Sequence, residues 1–488
     1  MTASDTVDVI VVGAGAGGCV VAARLAEFGA ESVLLIEAGP DLRTKPPAAL
    51  RDGWGISPSE FDWGLVSEPN PVGNTQNVWR TRAVGGTGWL TRFAPRGAPA
   101  DYDAWADFGC TGWSFEDVLP YFIAIEDDVD FGAEPWHGRG GPMQVSRYYD
   151  RDYSEAAARQ IAAALATGLP TIEDHNKPGA AGVGRMPMST RAGRRVTTAD
   201  AYLAGNGVAP NLTIRADTLV ASLTFDAARV TGVQLLGGET VAAARVVLSA
   251  GVYGNPPILM RSGIGPADEL SSLGIDVRLD LPGVGANLAD HPVVDMVEGE
   301  LDGEPPREIM HWIATFRSTT TPAAESPDLM FWGSDPEEGQ FELGVVLLKP
   351  RSRGRVRLRS ADPAAPPLIE LPALSDPFDV ERLAEAYRRA LDVAGQCGVA
   401  PPAPRDDSDL REHIRKVGRS LPHVVGTCAM GARPENGAVV DSDGRVHGCE
   451  GLAIADASIM PDVPSGFTHF PTIMIAERIA ERIRAATP

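Results

Sequence analysis

Residues 7–12 form an apolar run broken only by Asp8, and Gly13, Gly15 and Gly18 follow at once, ahead of the amphipathic stretch CVVAARLAEFG. A short apolar run that ends in glycines reads as a buried parallel strand feeding a tight turn and a helix. Gly13 and Gly15 let the backbone turn sharply and approach a pyrophosphate, Gly18 lets the helix pack close, and the helix N-terminus supplies oriented N–H groups for an anion. A second apolar run, SVLLIEAG, carries Glu37, which lies 19 positions beyond Gly18. That is the spacing of an acid that meets a ribose. Strand, turn, helix, strand and acid in this order predict a βαβ dinucleotide-binding unit without distinguishing FAD from NAD. No second GxGxxG follows a strand downstream, so a single bound dinucleotide is expected.

At 488 residues the chain is too long for one small core, and two or more domains are expected. The 43 basic and 65 acidic side chains leave a net charge of −22, a field that repels phosphate backbones and anionic lipid surfaces and argues against nucleic acid as a partner. The five cysteines (Cys19, Cys110, Cys397, Cys428 and Cys449) are scattered and lack a CxxC spacing. This disfavours a disulfide framework or a zinc site and fits a reducing cytoplasm. The start, MTASDTVDVIVVGAG, has no basic segment, and its apolar run is too short for a signal peptide or a membrane span.

Farther along, Pro40 to Trp79 is rich in Pro, Gly, Asn and Trp and predicts loops over the nucleotide fold. The segments LTIRADTLVASLTF, RVTGVQLL and RVVLSAG read as strands returning to the first sheet, which makes the nucleotide unit discontinuous. From Pro327 to Leu371, the runs DLMFW, FELGVVLLK and GRVRLR predict antiparallel strands of a second unit with one wet face. PFDVERLAEAYRRALDVAGQ reads as a helix lying on that sheet. PTIMIAERIAERIRAA predicts a last helix with Pro471 at its first position. The fold class expected is α/β plus α+β. Residues 1–145, 195–300 and 435–488 form the nucleotide unit, interleaved with a substrate-binding unit of residues 146–194 and 301–434.

Two histidines stand out, His423 in SLPHVVGTCAMG and His469 in PSGFTHFPTIMIAE. A dinucleotide turn with a distant imidazole pair, one member just before a helix, combines a hydride acceptor with a proton acceptor and points to alcohol oxidation. The remaining histidines carry no partner pattern, and no metal site is expected. His137 in PWHGRGG and His291 in LADHP lie in motifs that look structural. Trp312, Phe331 and Trp332 either wall a substrate pocket or fill the core.

Several motifs together resemble the glucose-methanol-choline (GMC) family of flavoprotein oxidoreductases: GAGAGG with LLIEAG, RAVGGTG, APADYDAW, EPWHGRGGP, SAGVYGNPPILMRSGIGP, LPGVGANLADHP, KPRSRGRVRLRSADP, HVVGTCAMG and GLAIADASIMP. The resemblance spans almost the whole chain. It implies an FAD-binding Rossmann-type domain covered by a six-stranded antiparallel substrate domain. It further implies that Glu37 holds the adenosine ribose and that Val220 offers backbone contacts to adenine. Gly85, Gly86 and Thr87 would lie against the flavin and pyrophosphate, with Thr91 at the flavin edge, while Asp456 and Ala457 would meet the ribityl and phosphate region. The last helix, through Pro471 and Thr472, would present its N-terminus to the flavin. His423 corresponds to the family's general base beside flavin N5, and His469 to the residue that orients the substrate hydroxyl.

The pattern departs in three places. Leu90 stands where some members attach FAD covalently through histidine, so FAD is expected to be non-covalent. Thr91 replaces a common asparagine and Trp89 a small residue. Val252 and Asn255 stand where small or hydroxylated residues are usual. The expected reaction is oxidation of an alcohol, either a sugar or glycoside hydroxyl or an aryl or alkyl alcohol, with hydride passing to flavin N5 and electrons leaving to O2 or a quinone- or dye-like acceptor. The alternatives are a non-redox FAD-containing lyase and an oxidoreductase acting on a reduced redox carrier.

Overall fold

The apolar runs around the glycine turn do form one sheet. The computed structural model describes residues 6–30, 32–51, 60–148, 153–203, 209–298, 312–333, 341–372, 374–401 and 404–485. Strand Val7–Val12 sits between Val33–Ile36 and Thr240–Leu248, all parallel, and Leu212–Arg215 extends the sheet beyond Val33–Ile36. Thr240–Leu248 is shared by two pairings. Its first residues pair antiparallel with Arg229–Leu235, which continues to Val220–Asp226, while Val246, Val247 and Leu248 pair in parallel with Leu452, Ala453 and Ile454. All three segments read from the sequence as returning strands therefore join the first sheet, and a strand from past residue 450 closes it. Helix Ala16–Glu27 packs along the last helix, His469–Ala485, and Arg24 Nε meets Glu477 Oε2 at 2.8 Å between them.

A second, six-stranded sheet is antiparallel, in the order Arg419–Ser420, Pro292–Glu298, Phe341–Leu347, Leu329–Gly333, Trp312–Phe316 and Gly182–Arg185. Pro292–Glu298 falls inside the range expected of the nucleotide unit yet is an interior strand here. GRVRLR does not join this sheet. Only Arg355–Arg357 is extended, and it pairs with Leu368–Glu370 as a separate hairpin. The expectation of one wet face is also corrected, because the strands Trp312–Phe316 and Leu329–Gly333 are buried at every residue. Alternate residues serve two cores. Trp312, Leu329, Phe331 and Val345 pack under helix Pro377–Gln396, whereas Ile313, Met330, Trp332 and Val346 face Phe93 and Phe467 on the nucleotide side. Of the three aromatic residues read as a possible wall or core, all are core: Trp312 and Phe331 lie under the helix, and Trp332 lies in the cluster that also holds Phe467.

The segment expected as loops holds a short helix, Ala48–Arg51, and the hairpin Leu65–Val66 with Asn77–Val78; residues 52–59 lie outside the described residues. Among the described residues, no helix is long and apolar enough to cross a membrane.

A buried charge network surrounds His137. His137 Nδ1 lies 2.7 Å from Glu126 Oε2 and its Nε2 lies 3.0 Å from Asp174 Oδ2. Arg96 pairs with Glu126 at 3.2 Å, and Arg147 with Asp128 at 3.0 Å and Asp174 at 3.2 Å. Glu126, Asp128 and His137 are close enough to share an ion. Their oxygens are nevertheless already matched by guanidinium and imidazole N–H groups, which makes this an ion-pair network. Burial acts to lower the His137 pKa, but the hydrogen bonds to Asp174 and Glu126 outweigh it and hold it above the ordinary 6.5. A histidine with a raised folded pKa stabilises fully below its unfolded value, and that contribution is lost as pH rises through the folded pKa. His137→Gln is expected to cost about 3 kcal/mol, because it leaves buried carboxylates under-compensated. Thermal melts should show the parent losing stability as pH rises above 6.5 and the variant lacking that slope.

Candidate active site

Gly13 follows its strand with φ +92°, and a side chain there would stand 2.6 Å from the Ser249 carbonyl oxygen. A Cβ on Gly17 would strike the Ala455 carbonyl, and one on Gly18 the Gly13 carbonyl. Gly15 instead faces open space at the head of helix Ala16–Glu27. The turn is thus closed on the protein side and open toward a ligand, the shape a pyrophosphate cradle requires. Gly85 (φ +104°) and Gly86 (φ +51°) fold over it: the Gly85 N–H donates to the Ala14 carbonyl at 2.8 Å, and a Cβ on Gly86 would lie 2.6 Å from Gly15 Cα. Thr87 continues this short 3-10 turn and accepts at its carbonyl from Thr91 N–H at 3.1 Å. Trp89, the unusual residue here, is fully buried and donates its indole N–H to the Val84 carbonyl at 2.8 Å, which pins the turn from beneath.

Glu37 is buried, and its two carboxylate oxygens accept from Ala14 N–H at 2.8 Å and Gly39 N–H at 2.9 Å. Burial pushes its carboxyl up to about 7. Its carbonyl accepts from Thr218 N–H at 2.8 Å, which draws the chain leading to Val220 alongside. Asp456 has the structural role that a turn cap predicts. Its Oδ1 caps Ser458 N–H at 2.8 Å, and its Oδ2 accepts from Gly251 N–H and Asn255 Nδ2, each at 2.8 Å. Asn255, one of the departures, therefore ties the SAGVYGN segment to IADAS. Ala457 opens the 3-10 turn Ala457–Ile459 that Asp456 caps.

The last helix begins at His469, not at Pro471, so Pro471 is its third residue. A proline is tolerated there because the first N–H groups of a helix have no intrahelical acceptor. The helical ladder closes with Thr472 N–H on the Thr468 carbonyl at 3.0 Å, and the Thr472 hydroxyl donates to the same oxygen at 2.7 Å. His469 is buried beside Gly88, and its Nε2 has no hydrogen-bond partner among the described residues. Burial, reinforced by the positive charge of Arg195, pushes its pKa down to about 4.

His423 stands on the other side of Phe467, whose ring meets it edge-on at 4.4 Å. Its backbone N–H donates to Asp290 Oδ1 at 3.0 Å, and its Nδ1 lies 3.1 Å from Nδ1 of His291. Burial, then the positive charges near it, hold its pKa well below 6.5. His291, read from the sequence as part of a structural motif, is thus in direct contact with the candidate base. Nothing local to LADHP marks this role, because the segment is buried throughout and the partner ring lies 132 positions away.

Models of the N- and C-terminal regions of the GMC oxidoreductases match residues 7–293 and 350–476. The chain belongs to the GMC oxidoreductases. This GMC oxidoreductase is 34% identical over 526 residues to 5-(hydroxymethyl)furfural oxidase of Methylovorus sp. (strain MP688), covering 98% of this chain and 99% of that protein. It is also 34% identical to an oxygen-dependent choline dehydrogenase of Stenotrophomonas maltophilia (strain R551-3), covering 100% and 96% of the two chains. Among solved structures, pyridoxine 4-oxidase from Mesorbium loti superposes with a TM-score of 0.88 at 30% identity, covering 99% of this chain and 100% of that one. As a GMC oxidoreductase the chain binds FAD and oxidises CH–OH groups. The glycine cradle and the unpartnered, buried His469 Nε2 fit that cofactor.

Gly86→Ala should cost FAD rather than fold. The flavin-to-protein absorbance ratio is expected to fall at least about tenfold, because a 2.6 Å approach must open by about 1 Å to reach ordinary van der Waals separation. Far-UV circular dichroism should stay unchanged.

Proposed function

We propose that this enzyme oxidises a primary alcohol borne on an apolar or aromatic body to the aldehyde, with His423 accepting the hydroxyl proton and His469 orienting the hydroxyl. The observation that carries this reading is the junction at Phe467. That ring joins the candidate base to an apolar cluster of Phe93, Met186, Met188, Met330 and Trp332, surroundings whose chemistry suits a planar apolar substrate body. A sugar would present several hydroxyls to this cluster, and each one buried without a partner costs about 1–3 kcal/mol. This favours an aryl or furanic alcohol over the sugar or glycoside that the histidine pair also suits.

Bound FAD supplies the hydride acceptor. His423 Nε2 has no hydrogen-bond partner among the described residues, and burial keeps the ring neutral, so it can take the proton as the C–H bond breaks. His469, neutral for the same reason, offers Nε2 to a substrate or cofactor atom. Glu37 and Val220 serve the adenosine end, and Gly13, Gly15, Gly18, Gly85, Gly86 and Thr87 the pyrophosphate and flavin. Thr91 would lie at the flavin edge, and Asp456 with Ala457 beside the ribityl chain. The last helix begins at His469 and contains Pro471 and Thr472, so its first turn leaves the amides of His469 and Phe470 free to face negative charge. Leu90, a buried hydrocarbon, offers no bond to the flavin, which supports non-covalent attachment. The relatives named as an oxidase or as oxygen-dependent support dioxygen as the electron acceptor.

Four measurements test this reading. Anaerobic mixing with benzylic or furanic alcohols should bleach the flavin at least about tenfold faster than glucose or a methyl glycoside does, a difference of about 1.4 kcal/mol; equal or reversed rates overturn the substrate class. His423→Ala should slow that bleaching by about 10² to 10⁴ with FAD retained. Because the base must be neutral and its pKa is depressed, the acid limb of kcat/KM should lie below pH 6.5. Acid precipitation should release all FAD into the supernatant.

A further inference from the structure

We propose that His291 is a positioning residue that fixes the ring tautomer of His423, leaving Nε2 of His423 as the nitrogen with the free lone pair. This rests on the reading of His423 as the base and adds how that base is held ready. The geometry forms a chain with one fixed end. His291 Nε2 lies 3.0 Å from the Pro464 carbonyl oxygen, which can only accept, so that nitrogen carries the proton. A neutral imidazole has one N–H, which leaves His291 Nδ1 bare. That bare nitrogen lies 3.1 Å from His423 Nδ1, and two facing lone pairs repel at this distance, so His423 Nδ1 bears the proton. His423 is then deprotonated at Nε2. Burial favours the neutral form of both rings, with His291 pushed down to about 4.

Each end of this chain is anchored. The backbone N–H groups of His291 and His423 both donate to Asp290 Oδ1, at 2.8 and 3.0 Å, so one carboxylate oxygen sets the spacing of the two rings. The Pro464 carbonyl lies in a loop fixed on both flanks. Lys349 donates to the Val463 carbonyl at 2.6 Å, and Asp101 accepts from Ser465 N–H at 2.8 Å and its hydroxyl at 2.7 Å. When His423 takes a proton on Nε2, its Nδ1–H already points at an acceptor, and that hydrogen bond strengthens as the ring becomes charged.

The test reads the tautomer directly. In FAD-loaded protein labelled with ¹⁵N-histidine, long-range ¹⁵N–¹H correlation should give His423 a pyridine-like Nε2 and a pyrrole-like Nδ1. His291→Phe should abolish this pattern and slow anaerobic flavin reduction by about 10² or more, with KM changed less than about threefold. In His291→Asn the carboxamide oxygen can replace Nδ1 as acceptor, so that variant should recover the pattern and come within about tenfold of the parent rate. A pyrrole-like Nε2 in the parent overturns the proposal. So does a His291→Phe variant that keeps both pattern and rate. If His291→Phe fails to fold, the parent spectrum decides. If no alcohol bleaches the flavin, the alcohol reading fails, while the spectrum still decides the tautomer.

Discussion

The nucleotide half of the molecule depends on one close approach of backbones. Between the ends of strands Thr240–Leu248 and Leu452–Ile454, the turn after the first strand lies so near Ser249 and Ala455 that Gly13 and Gly17 leave no room for a methyl group. That contact sets where helix Ala16–Glu27 begins. It therefore sets where its N–H groups point, and which segments stand opposite them: Gly85–Gly86 on one side and the Asp456 cap on the other. A larger residue in the turn would displace three segments that are far apart in sequence and meet only here.

One of the contacts between the two halves is a braced loop, and the linkage explains several of the motifs. Asp101 comes from APADYDAW, Lys349 from KPRSRG and Asp462 from the stretch after IADAS. Lys349 Nζ pairs with Asp101 at 3.2 Å and with Asp462 at 2.7 Å beneath the loop that carries Pro464. Partly buried pairs of this kind lose desolvation energy and regain it through mutual attraction, so their value lies more in fixed geometry than in net stability. Just beyond, Phe467 N–H donates to the Pro95 carbonyl at 2.9 Å, and His469 starts the last helix. His469 is thus placed by a loop that three stretches hold down, and His423 meets that loop through the ring of Phe467.

The glycine turn, the returning strands and the long helix on the second sheet were legible because periodicity and glycine placement report local geometry. The flanking residues of His423 and His469 likewise singled both out as candidates. What escaped is tertiary. The hairpin Arg355–Arg357 with Leu368–Glu370 alternates like any strand, and only its partner reveals that it lies outside the six-stranded sheet. Trp312 and Trp332 are chemically alike in sequence, and strand parity relative to a helix not yet placed sends one to each core. The helix start at His469 was masked by Pro471, since a proline marks the first turn without marking its first residue. His291 was hidden because its role exists only against a ring 132 positions away.

The order of the chain also has a kinetic meaning. Glu37 and the glycine turn are made early, yet the strand that seals the turn, Leu452–Ile454, and the helix that follows Phe467 come more than four hundred residues later. At about 5–20 residues per second on the ribosome, that interval is roughly 20 to 80 seconds. Throughout it the nascent sheet has an open edge at Val246–Leu248 and a dinucleotide turn with half its walls missing. Loading of FAD is therefore an event that follows translation.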